Sequence, residues 1–506
     1  MVTLLQTPVQ AAQWLQGRVR GTLQTDSRQV GAGDGFIAWP GAARDARQFV
    51  PGALAQGALA CLVERDGVEP YGFVDERVAS YPGLKAASGP IAAAYYEQPS
   101  QQIDVLAVTG TNGKTSTSWW LAQALQALSP PLPCGLIGTL GVGRVPAPGA
   151  PEDTSIVSTG LTTPDPVLLQ QTLRRFADEG LVACAIEASS IGIAERRLDG
   201  THIRTAIFTN FTQDHLDYHG SMAAYWLAKA GLFDWPGLRA AVINLDDPKG
   251  VELAATLSAR ALDVWTVSLR REAGARLSAQ DIRMGSQGVH FTVCEGGERI
   301  ALATQALGDY NVSNLLGVIA TLRTLGVSLA AAVEACRVLR PVPGRMEFQG
   351  GDGLPLAVVD YAHTPDALAQ VLQALRPLAE QRGGRLWCVF GCGGDRDPHK
   401  RPLMGAAAAR HADRVVLTND NPRSEAPEAI VAQIRPGLAG LGATEIVFDR
   451  AQAITGALRQ AAANDVVLVA GKGHEDYQET AGVRLPFSDR QQVGLALQAR
   501  RLGAAA

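Results

Sequence analysis

Gly110-Thr-Asn-Gly-Lys-Thr115 follows the apolar run Val105-Leu-Ala-Val108 and opens Thr115–Leu128, a stretch with helical patterning. A glycine-rich turn between strand and helix aims backbone N–H groups and a helix N-terminus at an anion. Lys114 is then placed to reach the outer phosphates of a nucleotide, and the Thr115 hydroxyl to bind Mg²⁺. Gly110, Thr111, Asn112, Gly113 and Ser116 complete the loop as candidate ATP contacts. The loop is contracted. The common form has four residues between its glycines and needs a glycine at 108, where this chain has Val108.

Outward from this loop, 506 residues are long for one core and suggest three domains. With 46% hydrophobic and 19% charged residues, the composition fits a globular α/β enzyme. No basic segment with an apolar core opens the chain, and no apolar run is long enough to span a bilayer, so a cytoplasmic protein without membrane insertion is expected. Seven scattered cysteines argue against a disulfide framework and fit a reducing compartment. Cys388 and Cys392 are read as core or loop thiols, because no second pair exists to complete a metal site. A net charge of −4 supplies no basic field for nucleic acid, so an anionic substrate must be held by individual arginines.

Two stretches look like joints: Glu97-Gln-Pro-Ser100, and Arg340-Pro-Val-Pro-Gly344 with its two prolines and glycine. They divide the chain into 1–100, 101–338 and 339–506. The turn-rich residues 145–151 read as an internal loop. Strand candidates alternate with helices: Val105–Val108, Leu181–Ile186, Ala206–Thr209 and Ala241–Asn244, then Ala357–Asp360, Leu386–Phe390, Arg414–Thr418, Glu445–Phe448 and Val466–Ala470. This alternation implies mostly parallel sheets, whose ligands gather beyond the carboxyl ends of the strands. Shorter strand-like runs, Phe36–Trp39 and Ala60–Val63, lie in the first hundred residues.

Leu181–Ile186 ends in Glu187-Ala-Ser-Ser190. A carboxylate at the tip of a buried strand beside a phosphate loop suits Mg²⁺, which prefers oxygen donors. Further on, Thr209-Asn-Phe-Thr-Gln-Asp-His-Leu-Asp-Tyr-His-Gly220 packs two histidines and two aspartates behind a strand. His215 and His219 at i, i+4 would share a helix face, but Gly220 follows at once and no glutamate lies between them in the zinc-protease arrangement. A metal or nucleotide role for His215 is the expectation.

Gly110–Thr115, Glu187–Ser190, Thr209–Gly220, Gly308-Asp-Tyr-Asn311, Gly344-Arg-Met-Glu347, Asp360-Tyr-Ala-His-Thr-Pro365 and Gly471-Lys-Gly-His-Glu475 occur in this order. Together they resemble the Mur ligases of peptidoglycan synthesis, a small group of ATP-driven ligases with the contracted loop. The match is nearest to members that add 2,6-diaminopimelate to UDP-N-acetylmuramoyl-L-alanyl-D-glutamate. The resemblance implies an α/β protein of three domains: a small N-terminal UDP-binding domain, a central phosphate-loop ATPase domain with a mostly parallel sheet, and a C-terminal Rossmann-like domain. It implies ATP, two Mg²⁺ sites and a monomer. The γ-phosphate passes to the D-glutamate carboxylate, and the incoming amine attacks the acyl phosphate.

By the same resemblance, Lys114, His215 and Lys229 serve catalysis, and Thr115, Glu187, His215 and Lys229 serve metal binding, Lys229 as a carbamate that reverses the sign of its charge. Asn311, Arg345 and Asp360 resemble nucleotide contacts, while His363 and Lys472 match the motifs without a settled role. Ser27, Arg28, Thr162, Thr163 and Ser190 resemble contacts to the UDP-sugar-peptide, with Gly41–Arg47 a further uridine segment. Asp420-Asn-Pro-Arg423, with Arg396, Gly471 and Glu475, resembles the amino-acid site. Arg423 can pair the distal carboxylate of meso-diaminopimelate bidentately and repel a lysine ammonium; lysine-adding relatives lack it. The chain departs from the family at Ile191 and Ala42, where histidine is common. The rivals are a lysine-adding or folylpolyglutamate-type ligase and a non-catalytic UDP-sugar-binding regulator.

Overall fold

The computed structural model describes residues 2–41, 44–147, 155–270, 274–285, 288–442 and 444–504; Ala42, part of the turn-rich 145–151 and the last two residues lie outside them. The chain packs as two units. The first comprises Met1–Thr109, Leu121–Ile207 and Ala228–Ala241, and the second Gly110–Trp120, Phe208–Leu227 and Val242–Ala506.

The first unit opens with a five-stranded sheet, ordered Thr3–Leu4, Val78–Tyr81, Ala60–Glu64, Gly35–Ala38, Leu23–Gln24, in which every pairing is parallel. Its middle strands are short continuous apolar runs, as strands covered on both faces must be. Alternate residues serve two cores: Ile37, Leu62 and Ala79 face one, and Phe36, Ala38, Cys61, Val63 and Val78 the other. The unit also holds Thr205–Ile207 of the strand Thr205–Phe208 and the strands Asp104–Thr109, Ala183–Glu187, Cys134–Gly138 and Gly141–Arg144, in that spatial order. Val108, two residues before Gly110, pairs with Glu187. This register sets the acidic strand tip next to the strand that delivers the phosphate loop.

In the second unit, Asp263–Ser268 runs beside an antiparallel meander of Leu277–Gly285, Gly288–Glu295 and Glu298–Thr304. No strand candidate of the sequence falls on this meander. Its signal is the Gly296-Gly297 turn, with Val289, Phe291 and Val293 buried on alternate positions. The C-terminal sheet is ordered Glu347–Gly350, Leu356–Asp360, Val466–Ala470, Leu386–Phe390, Arg414–Leu417, Thr444–Ile446. All its pairings are parallel except the first. Each strand candidate of this segment is found within two residues of its place. The expected mixed α/β fold, with a central parallel sheet and a Rossmann-like C-terminal sheet, is borne out.

Sequence-local rules explain the helix that leaves Asp360. Thr364 caps it by accepting from the Ala367 amide, Pro365 fills the first turn, and Asp366 adds an acid there, which fixes the start of Pro365–Gln381. All seven cysteines are free and buried. Cys388 lies within a core strand, and burial pushes the Cys392 thiol up to about 12.

Beneath the same sheet, Arg450 and Asp489 form an ion pair with both side chains fully buried, through Nε–Oδ1 and Nη2–Oδ2 contacts of 2.7 Å each. Arg450 also donates to the Asn419 and Ala470 carbonyls. Removing one partner strands a buried charge, so Asp489→Ala is expected to lower unfolding free energy by about 3–5 kcal/mol. Arg450→Met/Asp489→Leu is expected to recover most of the loss; urea titration of the three proteins checks this.

Candidate functional site

The phosphate loop is laced to the segment that follows Phe208. The Thr111 amide donates to the Asn210 carbonyl at 2.9 Å, and the Asn112 amide to Asn210 Oδ1 at 2.9 Å. The Asn112 carbonyl accepts from the Thr209 hydroxyl at 2.6 Å and Asn210 Nδ2 at 3.1 Å. The Thr111 hydroxyl meets the Thr212 carbonyl and lies 3.1 Å from the Tyr225 hydroxyl. The glycines are steric requirements. A Cβ on Gly110 would stand 1.8 Å from Thr209 Oγ1, and one on Gly113, at φ +84°, 2.5 Å from Asn314 Oδ1. Lys114 arches over this frame, its Nζ donating to the Gly110 and Thr111 carbonyls at 2.9 and 2.8 Å. Asn112 Nδ2 further donates to Asp366 Oδ2 at 3.2 Å, from the helix that follows the Asp360 motif.

Around the loop gathers a charged cluster centred on buried Asp214. His215 Nε2 lies 3.3 Å and His363 Nε2 3.9 Å from Asp214 Oδ2. Burial alone would raise the Asp214 carboxyl, but the charges of His215, Lys400 and His363 and the His215 amide outweigh it and hold it well below the usual range. Desolvation and the Lys400 charge draw His363 down to about 4, so its ring is neutral at pH 7. His215 takes a left-handed backbone, φ +53°, ahead of the single helical turn Leu216–His219. His215 precedes the helix, in keeping with the sequence's argument against a zinc pair of His215 and His219.

The nucleotide candidates meet in a cleft walled by Ser116, Trp120, Leu307, Asn311, Arg345 and Met346. Arg345 Nη2 donates to the Thr115 hydroxyl at 3.1 Å, and its guanidinium covers the Tyr361 ring at 4.3 Å. Its buried Nε has no hydrogen-bond partner among the described residues, which fits an anion. Asp360 does not face the cleft with a free oxygen. Both oxygens accept backbone amides, Met346 at 2.8 Å and Ala362 at 2.7 Å, so Asp360 shapes the turn that carries Arg345. Asn311 is buried and braces the same wall through the Leu307 carbonyl and Asn314.

In the first unit, buried Glu187 accepts the Thr139 amide on Oε1 at 2.8 Å, and its Oε2 lies 3.0 Å from the Thr139 hydroxyl. Thr162 reaches the same hydroxyl at 3.1 Å. A Cβ on Gly138 would stand 2.3 Å from Glu187 Oε1. A buried carboxylate is an oxygen donor of the kind a hard cation takes. The Thr163 hydroxyl is committed to the Glu187 carbonyl at 2.7 Å, so Thr163 holds the strand end. Ser190 is buried at the start of a short helix capped by Ser189. Lys229 is 1% exposed, not a solvated helix lysine. Arg28 is exposed and paired with Asp26, and Ser27 lies beside it, partly buried.

Three loops leave the carboxyl edge of the C-terminal sheet and meet. Asp420 and Asn421 are buried, and a Cβ on Gly471 would stand 2.5 Å from Asp420 Oδ2. Arg423 adopts φ +51° and donates to the Gly394 carbonyl at 2.7 Å. A Cβ on Gly393 would lie 3.0 Å from Arg423 Nη1 and 3.6 Å from Arg396 Cγ, so both arginines flank one turn. Arg396 is exposed, while Arg401 is buried and ties the turn to Glu425 with bonds of 2.7 and 2.8 Å. The backbone of Arg423 is bridged to Thr480 of the hairpin Tyr477–Thr480/Val483–Pro486. Pro422 is buried behind it. The sequence reading assigns no role to Asp214, Asn314, Asp366 or Arg401. Asp214 stands inside a quoted motif, but the other three act from helices whose meaning appears only on folding.

A family model described as the Mur ligase middle domain matches residues 108–322, and one described as Mur ligase, glutamate ligase domain, matches 344–473. The UDP-N-acetylmuramoyl-L-alanyl-D-glutamate–2,6-diaminopimelate ligase of Acidovorax sp. (strain JS42) is 59% identical over 506 residues, 99% of each chain. The protein of that name from Janthinobacterium sp. (strain Marseille) is 48% identical over 96% of each. A solved structure of a ligase with that name superimposes with a TM-score of 0.63 at 36% identity, covering 95% of both chains. Likeness of this degree runs the length of both proteins rather than through one motif, and the chain belongs to the Mur ligase family.

Proposed function

We propose that this chain is an ATP-dependent, ADP-forming ligase that adds meso-2,6-diaminopimelate to UDP-N-acetylmuramoyl-L-alanyl-D-glutamate in peptidoglycan precursor synthesis. The observation that carries the specificity is the turn where Arg423 and Arg396 flank Gly393 beside Asp420, Asn421 and Glu475. It offers cations for a distal carboxylate and anions for an ammonium, which is the charge pattern of diaminopimelate and not of lysine.

A carboxylate resists attack by an amine until one oxygen carries a good leaving group. The D-glutamate oxygen takes the γ-phosphoryl group and ADP departs; the amine nitrogen then bonds to the acyl carbon, phosphate leaves, and the nitrogen gives up a proton. Lys114 and the loop amides neutralise the transferring group, and Arg345, over Tyr361, holds phosphate charge through its unpartnered Nε. Ser116 and Asn311 line the nucleotide cleft. Mg²⁺, when bound, supplies charge neutralisation and alignment of the phosphates. Thr115, Glu187, His215 and Lys229, the last as a carbamate, would serve the two Mg²⁺ sites of this reading. The burial of Lys229 supports a role inside the site rather than on a solvated helix face. Ser27, Arg28, Thr162, Thr163 and Ser190 serve the UDP-sugar-peptide end, Thr163 by holding Glu187 in place. Gly471 lets Asp420 approach.

The domains of this reading are 1–100, 101–338 and 339–506, and the enzyme acts as a cytoplasmic monomer; among the described residues no helix is long and apolar enough to cross a membrane. Phosphate release from ATP with the UDP-muramoyl dipeptide tests the reading directly. Diaminopimelate at equal concentration is expected to stimulate release at least about a hundredfold more than L-lysine. Stimulation by lysine instead would keep the ligase and overturn the specificity; silence with both would favour a regulator.

A further inference from the structure

Lys472 is fully buried, yet neither the nucleotide nor the phosphoryl chemistry uses it. It lies between Gly471 and Gly473, both with positive φ, and this double bend turns its side chain inward. Its Nζ donates to Glu475 Oε2 at 2.7 Å and Asn421 Oδ1 at 3.0 Å, and lies 5.3 Å from the centre of the Tyr477 ring. Asn421 Nδ2 donates to the same Glu475 Oε2 at 2.9 Å, and Asn421 Oδ1 also accepts the Glu479 amide at 3.0 Å. One oxygen of Glu475 is therefore held twice. Its other oxygen takes no hydrogen bond among the described residues.

The charges do not cancel. Asp420 and Glu475 bring two negative charges, Lys472 returns one positive, and nearby Arg450 is matched by Asp489. Among these five groups one negative charge is left over, on the loops that also carry Arg423. That surplus fits one ammonium.

We propose that Lys472 is a positioning residue for the amino-acid substrate: it pins one oxygen of Glu475 to Asn421 so that the other faces the substrate ammonium. The inference rests on the reading of Asp420, Asn421, Arg423 and Glu475 as the amino-acid site. A residue that acts through Glu475 has no effect of its own once Glu475 has lost its charge.

The test uses the full chain and three variants, Lys472→Met, Glu475→Gln and the double, with KM measured for diaminopimelate, ATP and the UDP-dipeptide, and Tm for each. Lys472→Met is expected to raise the diaminopimelate KM about 30-fold, from loss of charged hydrogen bonds, with the ATP KM within about twofold. The double variant is expected to match Glu475→Gln alone within about threefold. An unchanged diaminopimelate KM in Lys472→Met overturns the proposal, as do single effects that multiply in the double. If Lys472→Met does not fold, the double, which removes both charges together, carries the comparison with Glu475→Gln. Should Glu475→Gln leave the diaminopimelate KM unchanged, the amino-acid site itself is misread; an effect of Glu475→Gln without one of Lys472→Met removes Lys472 alone.

Discussion

Replacing Lys114 with alanine is expected to lower kcat at least about a thousandfold, the rate equivalent of about 4 kcal/mol, while the enzyme keeps its fold. Phosphoryl transfer asks little covalent chemistry of the protein; it asks for alignment and for charge where charge develops. The Lys114 ammonium is the loop's own positive charge, fixed by two carbonyls at 2.9 and 2.8 Å on a frame that Thr209, Asn210 and Asn314 leave no room to deform. One unit charge about 4 Å away is worth about 4 kcal/mol at an effective dielectric of about 20. Arginine is not expected to rescue, because its fork needs more width than an ammonium. ADP release under saturating substrates, with circular dichroism as the folding control, is the measurement. A variant retaining near-normal turnover would remove the phosphate-loop assignment.

The second large effect is expected at Arg423. Arg423→Ala should raise the diaminopimelate KM about a hundredfold, the scale of a lost bidentate ion pair, and leave the ATP KM within about twofold. Arg423 already carries a strained Cβ at φ +51°, and alanine keeps that strain while losing the bond to the Gly394 carbonyl that helps to hold the turn. Arg423→Gly separates the two causes. If the guanidinium matters, both variants lose diaminopimelate equally; if the backbone matters, glycine restores it. Equal losses for ATP and diaminopimelate would mean that Arg423 only props the loop. With the arginine gone, L-lysine should gain ground relative to diaminopimelate, because a repelled ammonium no longer meets a cation.

Much of this was legible in the chain before folding, and the reason is local. The phosphate loop with the helix after it and the parallel strands each obey rules that span a dozen residues, so their boundaries agree within a residue or two. Motifs at strand ends pointed to one edge of the C-terminal sheet, and Asp420, Gly471 and Glu475 do gather there. What motifs could not express is the direction in which a side chain is spent. Asp360 and Thr163 look like ligand contacts in one dimension, and both turn out to hold backbone. Asp366 and Arg401 are ordinary helix residues in sequence, and their partners, Asn112 and Glu425, lie 254 and 24 residues away. The meander Leu277–Thr304 was missed because its strands are half polar, and alternation is fainter than a solid apolar run.

Gly344 and Gly473 touch so closely that a Cβ on the first would stand 2.1 Å from the His474 nitrogen, and one on the second 2.6 Å from the Gly344 oxygen. The turn that carries Arg345 and the loop that carries Lys472 and Glu475 therefore cannot slide past each other. Two binding events that each settle one half of a locked pair share a free energy, and thermodynamic reciprocity makes the share equal in both directions. Whatever factor a nucleotide lends to capture of the amine, the amine returns to the nucleotide.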